Sequence, residues 1–209
     1  EATACKAVYT GSNPVSTSTP SARSLRPGRT PRRAPLLRQA DRQNGTVRPE
    51  PSARFGGLWA RELSEVTDDL GVLDRDGRWA VLLPYRGRPV LARFEHWTAD
   101  EPPGARRDWA GPSTDSWTSS ASAAEYVAAV ARTREAIAAG SVYQANVCRV
   151  LIAPLPDATR ADVGGLDGLL AEGNPAPFGG FLRLPDDDVA VATASPELFL
   201  RVRREEHGR

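Results

Sequence analysis

The chain has 209 residues, of which 40% are hydrophobic and 25% charged, and its formal net charge is +1. This length suits one ordinary domain with a tail, and the near-zero charge indicates neither a nucleic-acid binder nor an acidic tail. No run approaches the roughly 18 apolar residues of a membrane span, and the first residues lack a secretory signal. With only two cysteines, no disulfide framework is expected, and we predict a cytoplasmic protein with reduced thiols.

Residues 1–50 are predicted to be a disordered, basic tail rich in Ser, Pro and Arg. They carry a net charge of +6, whereas residues 51–209 carry −5. With few large apolar side chains, the tail cannot bury enough surface to offset the entropy of ordering. A transit peptide, a nucleic-acid-binding arm and an extension without a role are the alternatives. The arginines are not interleaved with aromatic residues, so we expect no nucleic-acid partner.

The body of the protein is predicted to begin near residue 55 and to open with a β-hairpin. Two apolar runs, 79–83 and 89–94, flank a short glycine-containing turn at 85–88. Such a pair of runs is typical of two antiparallel strands. Residues 100–120 are rich in Pro, Gly, Asp, Ser and Trp, which predicts a loop between two parts of the body.

The clearest predicted helix covers 122–139. Ser122 stands three residues before Glu125, which is the spacing of a capping box. Gly140 follows as a residue free to adopt positive φ and so to end the helix. One apolar face is formed by residues at spacings of three and four, namely Tyr126, Val130, Thr133 and Ile137.

Residues 142–152 are predicted to form a strand because they contain several β-branched residues. Gln144 and Asn146 would then point to the same side of the sheet, and Cys148 would be a small buried residue. Residues 162–171 predict a second, short helix.

The last part of the chain is predicted to contain a second hairpin and a further strand. The runs 180–184 and 189–193 flank the acidic turn 186–188, and 198–202 is the strand candidate. Hairpins with few helices predict an α+β fold. A strand near the chain end needs a neighbour, and the sequence lacks Met, so we expect a longer natural protein.

Three segments carry polar residues that could have chemical roles. They are Gly-Ser-Val-Tyr-Gln-Ala-Asn-Val-Cys-Arg at 140–149, Asn-Pro-Ala-Pro-Phe-Gly-Gly-Phe-Leu at 174–182 and Ala-Ser-Pro-Glu-Leu-Phe-Leu at 194–200. Taken singly, the first could face solvent or line a cleft, and the prolines of the second make a rigid connection. Glu197 in the third is most often a solvated carboxylate. None has the spacing of a phosphate loop or a zinc site.

Together, in this order and spacing, the three segments resemble the chorismate-utilising enzyme family. The family includes anthranilate synthase component I, aminodeoxychorismate synthase component I, isochorismate synthase and salicylate synthase. The resemblance is strong over 126–202, weaker over 55–93 and absent from 1–50. It implies a truncated fold like that of anthranilate synthase component I over 55–209, with antiparallel sheets and few helices.

The resemblance assigns roles to five residues. Glu197 matches the general acid that protonates the departing 4-hydroxyl of chorismate, a task that needs a carboxyl kept protonated by burial or a neighbouring anion. Gln144 stands where isochorismate and salicylate synthases carry a lysine that activates water. A glutamine cannot act as that base, which favours the ammonia-using branch. Pro177, Phe178 and Gly179 match the wall of a tryptophan pocket, although the segment that completes this pocket is not recognisable.

The implied function is that of aminodeoxychorismate synthase component I, which converts chorismate and ammonia to 4-amino-4-deoxychorismate for p-aminobenzoate and folate. Asn-Pro-Ala-Pro-Phe at 174–178 favours this branch over anthranilate synthase component I of tryptophan biosynthesis, and a non-catalytic binding fragment is the third alternative. Mg²⁺ is the implied cofactor, a glutamine amidotransferase the implied partner, and tryptophan a further ligand. The family's Mg²⁺ carboxylates and lysine nucleophile follow the Ser-Pro-Glu motif and lie beyond residue 209, so we expect this chain alone to be inactive.

Overall fold

The computed structural model describes residues 6–7, 32–33, 49–103, 108–156 and 160–201. The predicted tail at 1–50 lies almost wholly outside these ranges, so its disorder stays a prediction. The described residues fall into two compact units. We call 111–156 the helix unit and the other described residues the sheet unit.

Ten strands and two α-helices are found in the described part of the chain. In chain order they are β1 (Lys6–Ala7), β2 (Arg32–Arg33), β3 (Ser52–Phe55), β4 (Leu58–Thr67), β5 (Trp79–Leu82), β6 (Val90–Thr98), β7 (Thr118–Ser119), α1 (Ala123–Ala138), β8 (Leu151–Ile152), α2 (Val163–Gly173), β9 (Gly180–Leu184) and β10 (Val189–Thr193).

The sheet unit is built on a single eight-stranded sheet within the described residues. Its order is β1-β5-β6-β4-β3-β9-β10, with β2 beside β4. All pairs are antiparallel except β1 with β5. Two helices with a largely antiparallel sheet form a mixed architecture, which agrees with the predicted α+β class.

Both predicted hairpins are confirmed. In the first, Trp79 pairs with Arg93 and Leu82 with Val90. In the second, β9 pairs with β10 along its whole length, and a short 3₁₀ turn at Pro185–Asp187 joins them. These pairings hold because each apolar run has a partner strand within reach of a short turn.

The two faces of the sheet at β3 and β9 have different neighbours. Alternate residues of a strand point to opposite faces, so Ala53 and Phe55 join an apolar core while Arg54 and Phe181 face α2. The core contains eight buried residues, namely Ala53, Phe55, Ala60, Ala80, Ala92, Phe94, Leu182 and Leu184. The charged side chain of Arg54 therefore lies on the face of the sheet that packs against α2.

The predicted second helix is confirmed as α2, which runs to Gly173 rather than 171. Asp162 is its N-cap and accepts hydrogen bonds from the backbone N–H groups of Gly164 and Gly165. An aspartate in this position satisfies donors that have no partner within the helix.

The helix unit contains α1 and the short pair β7–β8. The predicted capping box is confirmed, since the Ser122 hydroxyl accepts from the Glu125 N–H and the Glu125 carboxylate accepts from the Ser122 N–H. Gly140 follows the helix with a φ of 71°. No residue of α1 is buried: in the predicted apolar face, Tyr126, Val130 and Ile137 are exposed and Thr133 is half-buried.

Two strand predictions are wrong in the described residues. Of the predicted strand 142–152, only Leu151–Ile152 is a strand, since it pairs with β7. The Val150 carbonyl accepts one further hydrogen bond from the Ser120 N–H, and 142–149 join no ladder among the described residues. Residues 198–201 are likewise irregular and exposed, and 202 lies outside the described ranges. Strand propensity alone is insufficient, because a strand needs a neighbour to complete its backbone hydrogen bonds.

Cys148 lies in this irregular segment and is exposed, so the prediction that it is a buried apolar residue is wrong. The predicted loop at 100–120 is largely irregular but includes β7 and a 3₁₀ turn at Thr114–Ser116. Among the helices that the structure describes, none has the length and apolar character needed to cross a bilayer.

Candidate functional site

The second motif forms the connection between α2 and β9. The N–H of Asn174 donates to the Leu170 carbonyl at 2.8 Å and closes the helix. The N–H of Gly179 donates to the Ala176 carbonyl at 3.0 Å, which makes a tight turn before β9 begins at Gly180. We call residues 174–179 the connection.

The third motif lies beside the connection. The N–H of Phe178 donates to the carbonyl of Ser195 at 3.2 Å. The ladder between β9 and β10 ends at the pair Gly180–Thr193, so this bond continues the antiparallel pairing outward. The fold thus brings together two motifs that the sequence identified separately.

Glu197 follows this contact and is exposed. The Ser195 hydroxyl donates to the Glu197 backbone carbonyl at 2.9 Å, which fixes a turn at the proline between them. The described residues therefore fix the backbone at Glu197 but do not bury its carboxylate. Its role as an acid stays a prediction.

Gln144 belongs to the helix unit and is also exposed. It lies outside any strand, so the expectation that Gln144 and Asn146 share a sheet face has lost its basis. The segment is held near α1 by the Tyr126 hydroxyl, which donates to the Val147 carbonyl at 3.2 Å. Val142 and Ala145, but not Gln144, line an open groove of about 310 Å³ along α1.

An ion pair that sequence reasoning missed lies between β3 and α2, with a buried carboxylate and a half-buried guanidinium. Arg54 donates through Nε to Oδ2 of Asp167 at 2.7 Å and through Nη2 to Oδ1 at 2.6 Å. The Asp167 side chain is 1% exposed. Such bidentate pairs are strong and geometrically specific. The available signal was an aspartate in the middle of a short helix composed mainly of Gly and Leu.

A second buried pair lies at the start of α2. Arg183 donates through Nη1 to Oδ2 of Asp162 at 2.5 Å, through Nε to the Glu50 carbonyl at 3.0 Å and through Nη2 to the Ser52 hydroxyl at 2.8 Å. The other oxygen of Asp162 caps α2 through Gly164. The carboxylate is thus shared between a helix end and a guanidinium.

A small cavity of about 110 Å³ lies under the connection. It is lined by ten residues, namely Arg54, Asp167, Leu170, Ala171, Asn174, Pro175, Ala176, Gly179, Thr193 and Ala194. Ligand pockets are generally about 300–1,000 Å³, so this cavity would have to widen to admit an indole. Gly179 lines it, whereas Pro177 and Phe178 do not.

Residues 88–207 match the family of chorismate binding enzymes. The chain belongs to this family. The match covers more than half of the sequence and includes all three motifs and both α-helices. No curated protein and no solved structure matches the chain significantly.

The chorismate-binding region includes Asp167 of the first buried pair but not Arg54, which precedes residue 88. Within the described ranges, no three His, Cys, Asp or Glu side chains come close enough to hold a metal ion. Mg²⁺ as a cofactor stays a prediction.

Proposed function

We propose that this protein is an ammonia-using chorismate enzyme of the aminodeoxychorismate synthase component I type, with a fold like that of anthranilate synthase component I. It would convert chorismate and ammonia to 4-amino-4-deoxychorismate and water. The observation that supports chorismate as the substrate is the family match over 88–207, which spans all three motifs.

Glu197 is the residue to which we give the acid role. Its carboxyl proton would pass to the 4-hydroxyl of chorismate, which then leaves as water instead of hydroxide. Because Glu197 is exposed in the chain without substrate, this role requires that bound chorismate exclude water from the carboxyl. The hydrogen bond from Phe178 to Ser195 supports the proposal, because it fixes the backbone two residues before the acid.

Gln144 supports the choice of ammonia over water as the nucleophile. Its amide can donate and accept hydrogen bonds but cannot remove a proton from water near pH 7. We propose a glutamine amidotransferase as the source of ammonia. The sequence Asn-Pro-Ala-Pro-Phe at 174–178 is the feature that favours 4-amino-4-deoxychorismate over anthranilate as the product.

A second candidate function is chorismate binding without turnover. It is favoured by Glu197, whose side chain is exposed. Both candidates require chorismate to bind, so binding alone does not separate them.

Product analysis tests the proposal. Protein expressed from its complete reading frame is incubated with chorismate, Mg²⁺ and ammonium, and the products are identified by chromatography. 4-Amino-4-deoxychorismate supports the proposal, whereas anthranilate points to the other aminating branch. Isochorismate or salicylate would show that water is the nucleophile and overturn the argument from Gln144. Binding without any product would favour the second candidate. L-Tryptophan added in parallel tests whether Pro177, Phe178 and Gly179 form part of a ligand site.

A further inference from the structure

The pair Arg54–Asp167 joins two elements that are far apart in sequence. Its partners are separated by 113 positions, one on the sheet and one on α2. Two parallel hydrogen bonds to a carboxylate fix both distance and orientation, unlike a single bond. Since the Asp167 side chain is almost completely buried, loss of the guanidinium would leave a buried carboxylate without this partner. The pair therefore sets how α2 is rotated over β3.

The position of α2 determines where the connection starts. Asn174 is bonded to Leu170, which lies one helical turn after Asp167. The cavity of about 110 Å³ lies beneath the connection, so close packing does not hold it from below. The connection is held at its two ends instead, by the hydrogen bond from Asn174 to Leu170 and the hydrogen bond from Phe178 to Ser195.

We propose that the Arg54–Asp167 pair is the positioning element of the segment 195–197. The pair holds α2, α2 holds the connection, and the connection holds Ser195 through the Phe178 N–H. Arg54 and Asp167 are positioning residues, since neither hydrogen-bonds to Glu197. The importance of that position for chemistry rests on the proposed function, which gives Glu197 the acid role.

The pair Arg183–Asp162 supplies a matched control within the same unit. It too joins the sheet to α2 through a short, buried, charged contact. Its carboxylate belongs to the N-cap Asp162, one residue before the helix begins, whereas Asp167 lies within the helix and nearer the connection. If any loosening of α2 frees the connection, disrupting either ion pair will have the same effect on the connection. If Arg54–Asp167 is the positioning element, only its disruption will act selectively.

Amide hydrogen exchange measured by NMR on the 209-residue chain tests the proposal. Arg54→Lys keeps the charge but loses the bidentate geometry, and Asp167→Asn keeps the shape but loses the charge. Arg183→Lys is the control. The Phe178 amide reports on the connection, and the amide of Leu91 in β6, which is fully buried, reports on the stability of the whole sheet. Local opening and global unfolding contribute separately to such exchange.

In both Arg54→Lys and Asp167→Asn, protection of the Phe178 amide should fall on the order of tenfold further than protection of the Leu91 amide. In Arg183→Lys the two amides should lose protection by the same factor. The proposal is overturned if Phe178 follows Leu91 in either test variant, or if Arg183→Lys produces the same selective loss. No chorismate is present, so a protein that fails to aminate chorismate can still pass this test.

Discussion

The carbonyl oxygen of Arg54, across the β3–β9 pair, occupies the place where a Cβ on Gly180 would stand. A Cβ at position 180 would overlap this oxygen and would approach Cδ1 of Phe55 to 2.5 Å. One of these obstacles is backbone, which cannot move without breaking the ladder that joins β3 and β9. The close approach of the two strands at the start of the second hairpin therefore requires glycine.

We expect Gly180→Ala to lower the free energy of unfolding by about 1–3 kcal/mol or more, because the strands must separate to admit the methyl group. Urea unfolding followed by tryptophan fluorescence measures the change. Gly173→Ala is the matched control, since a Cβ there would meet no atom within 4 Å. A Gly180→Ala variant as stable as the Gly173→Ala variant would show that the strands are not as close as described.

Asp162→Ala should strongly lower the free energy of unfolding of the sheet unit, because Asp162 is buried. It removes the N-cap of α2 and leaves Arg183, a buried residue, without its carboxylate. Breaking a buried pair in this way costs about 3–5 kcal/mol. Glu172→Ala, at an exposed position of the same helix, should change stability by less than about 0.5 kcal/mol. Comparable midpoints for the two variants in urea would contradict the ion pair.

Helix α1 should lose stability in acid through its capping box. The backbone N–H and the hydroxyl of Ser122 both bond to the Glu125 carboxylate and lower the pKa of that group. A lowered pKa in the folded state means that the carboxylate stabilises the helix above the ordinary pKa of glutamate. This contribution is lost as pH falls from about 4.3 through the lower, folded value.

Far-UV circular dichroism over that pH range should therefore show a loss of helical signal. Glu125→Gln supplies the comparison, because glutamine can complete a capping box without titrating. If Glu125 makes no bond to Ser122, the helical signal of the two proteins should change with pH in the same way.

Glu197→Gln tests the acid role in protein expressed from the complete reading frame. Glutamine is nearly isosteric with glutamic acid but cannot donate the proton, so kcat should fall by at least about 100-fold. KM for chorismate should shift much less, since the change removes an interaction of the transition state. Glu95→Gln, at an exposed position of β6, is the control. A kcat within about threefold of the unmodified protein would remove Glu197 from the mechanism, because loss of a general acid costs far more than that.

Features that depend on nearby residues could be predicted from the sequence. The capping box needs Ser122 and Glu125 on one turn, and each hairpin needs two apolar runs and a short turn. The strands predicted at 142–152 and 198–202 depended instead on a distant neighbour. In the described residues that neighbour is present only for Leu151–Ile152, so strand propensity gave the wrong result elsewhere.

The candidate site could be predicted only in part for the same reason. The motifs at 174–182 and 194–200 were identified from their residues, and the hydrogen bond from Phe178 to Ser195 shows that they meet. The Arg54–Asp167 pair could not be found this way. Arginine in a strand and aspartate in a helix are ordinary surface residues until the fold places one against the other.

The bond from Phe178 to Ser195 also explains why the spacing of these two motifs is informative in the sequence. Residues 178 and 195 are the two ends of a single folded-back ribbon, whose turn lies at 185–188. Adding one residue to β9 alone would shift the pairing and turn every later side chain to the opposite face. Lengthening would have to occur in both strands together, or be confined to the turn. The number of residues between the two motifs is therefore set by the number of paired residues in β9 and β10. Insertions in this part of the chain are best tolerated in the turn.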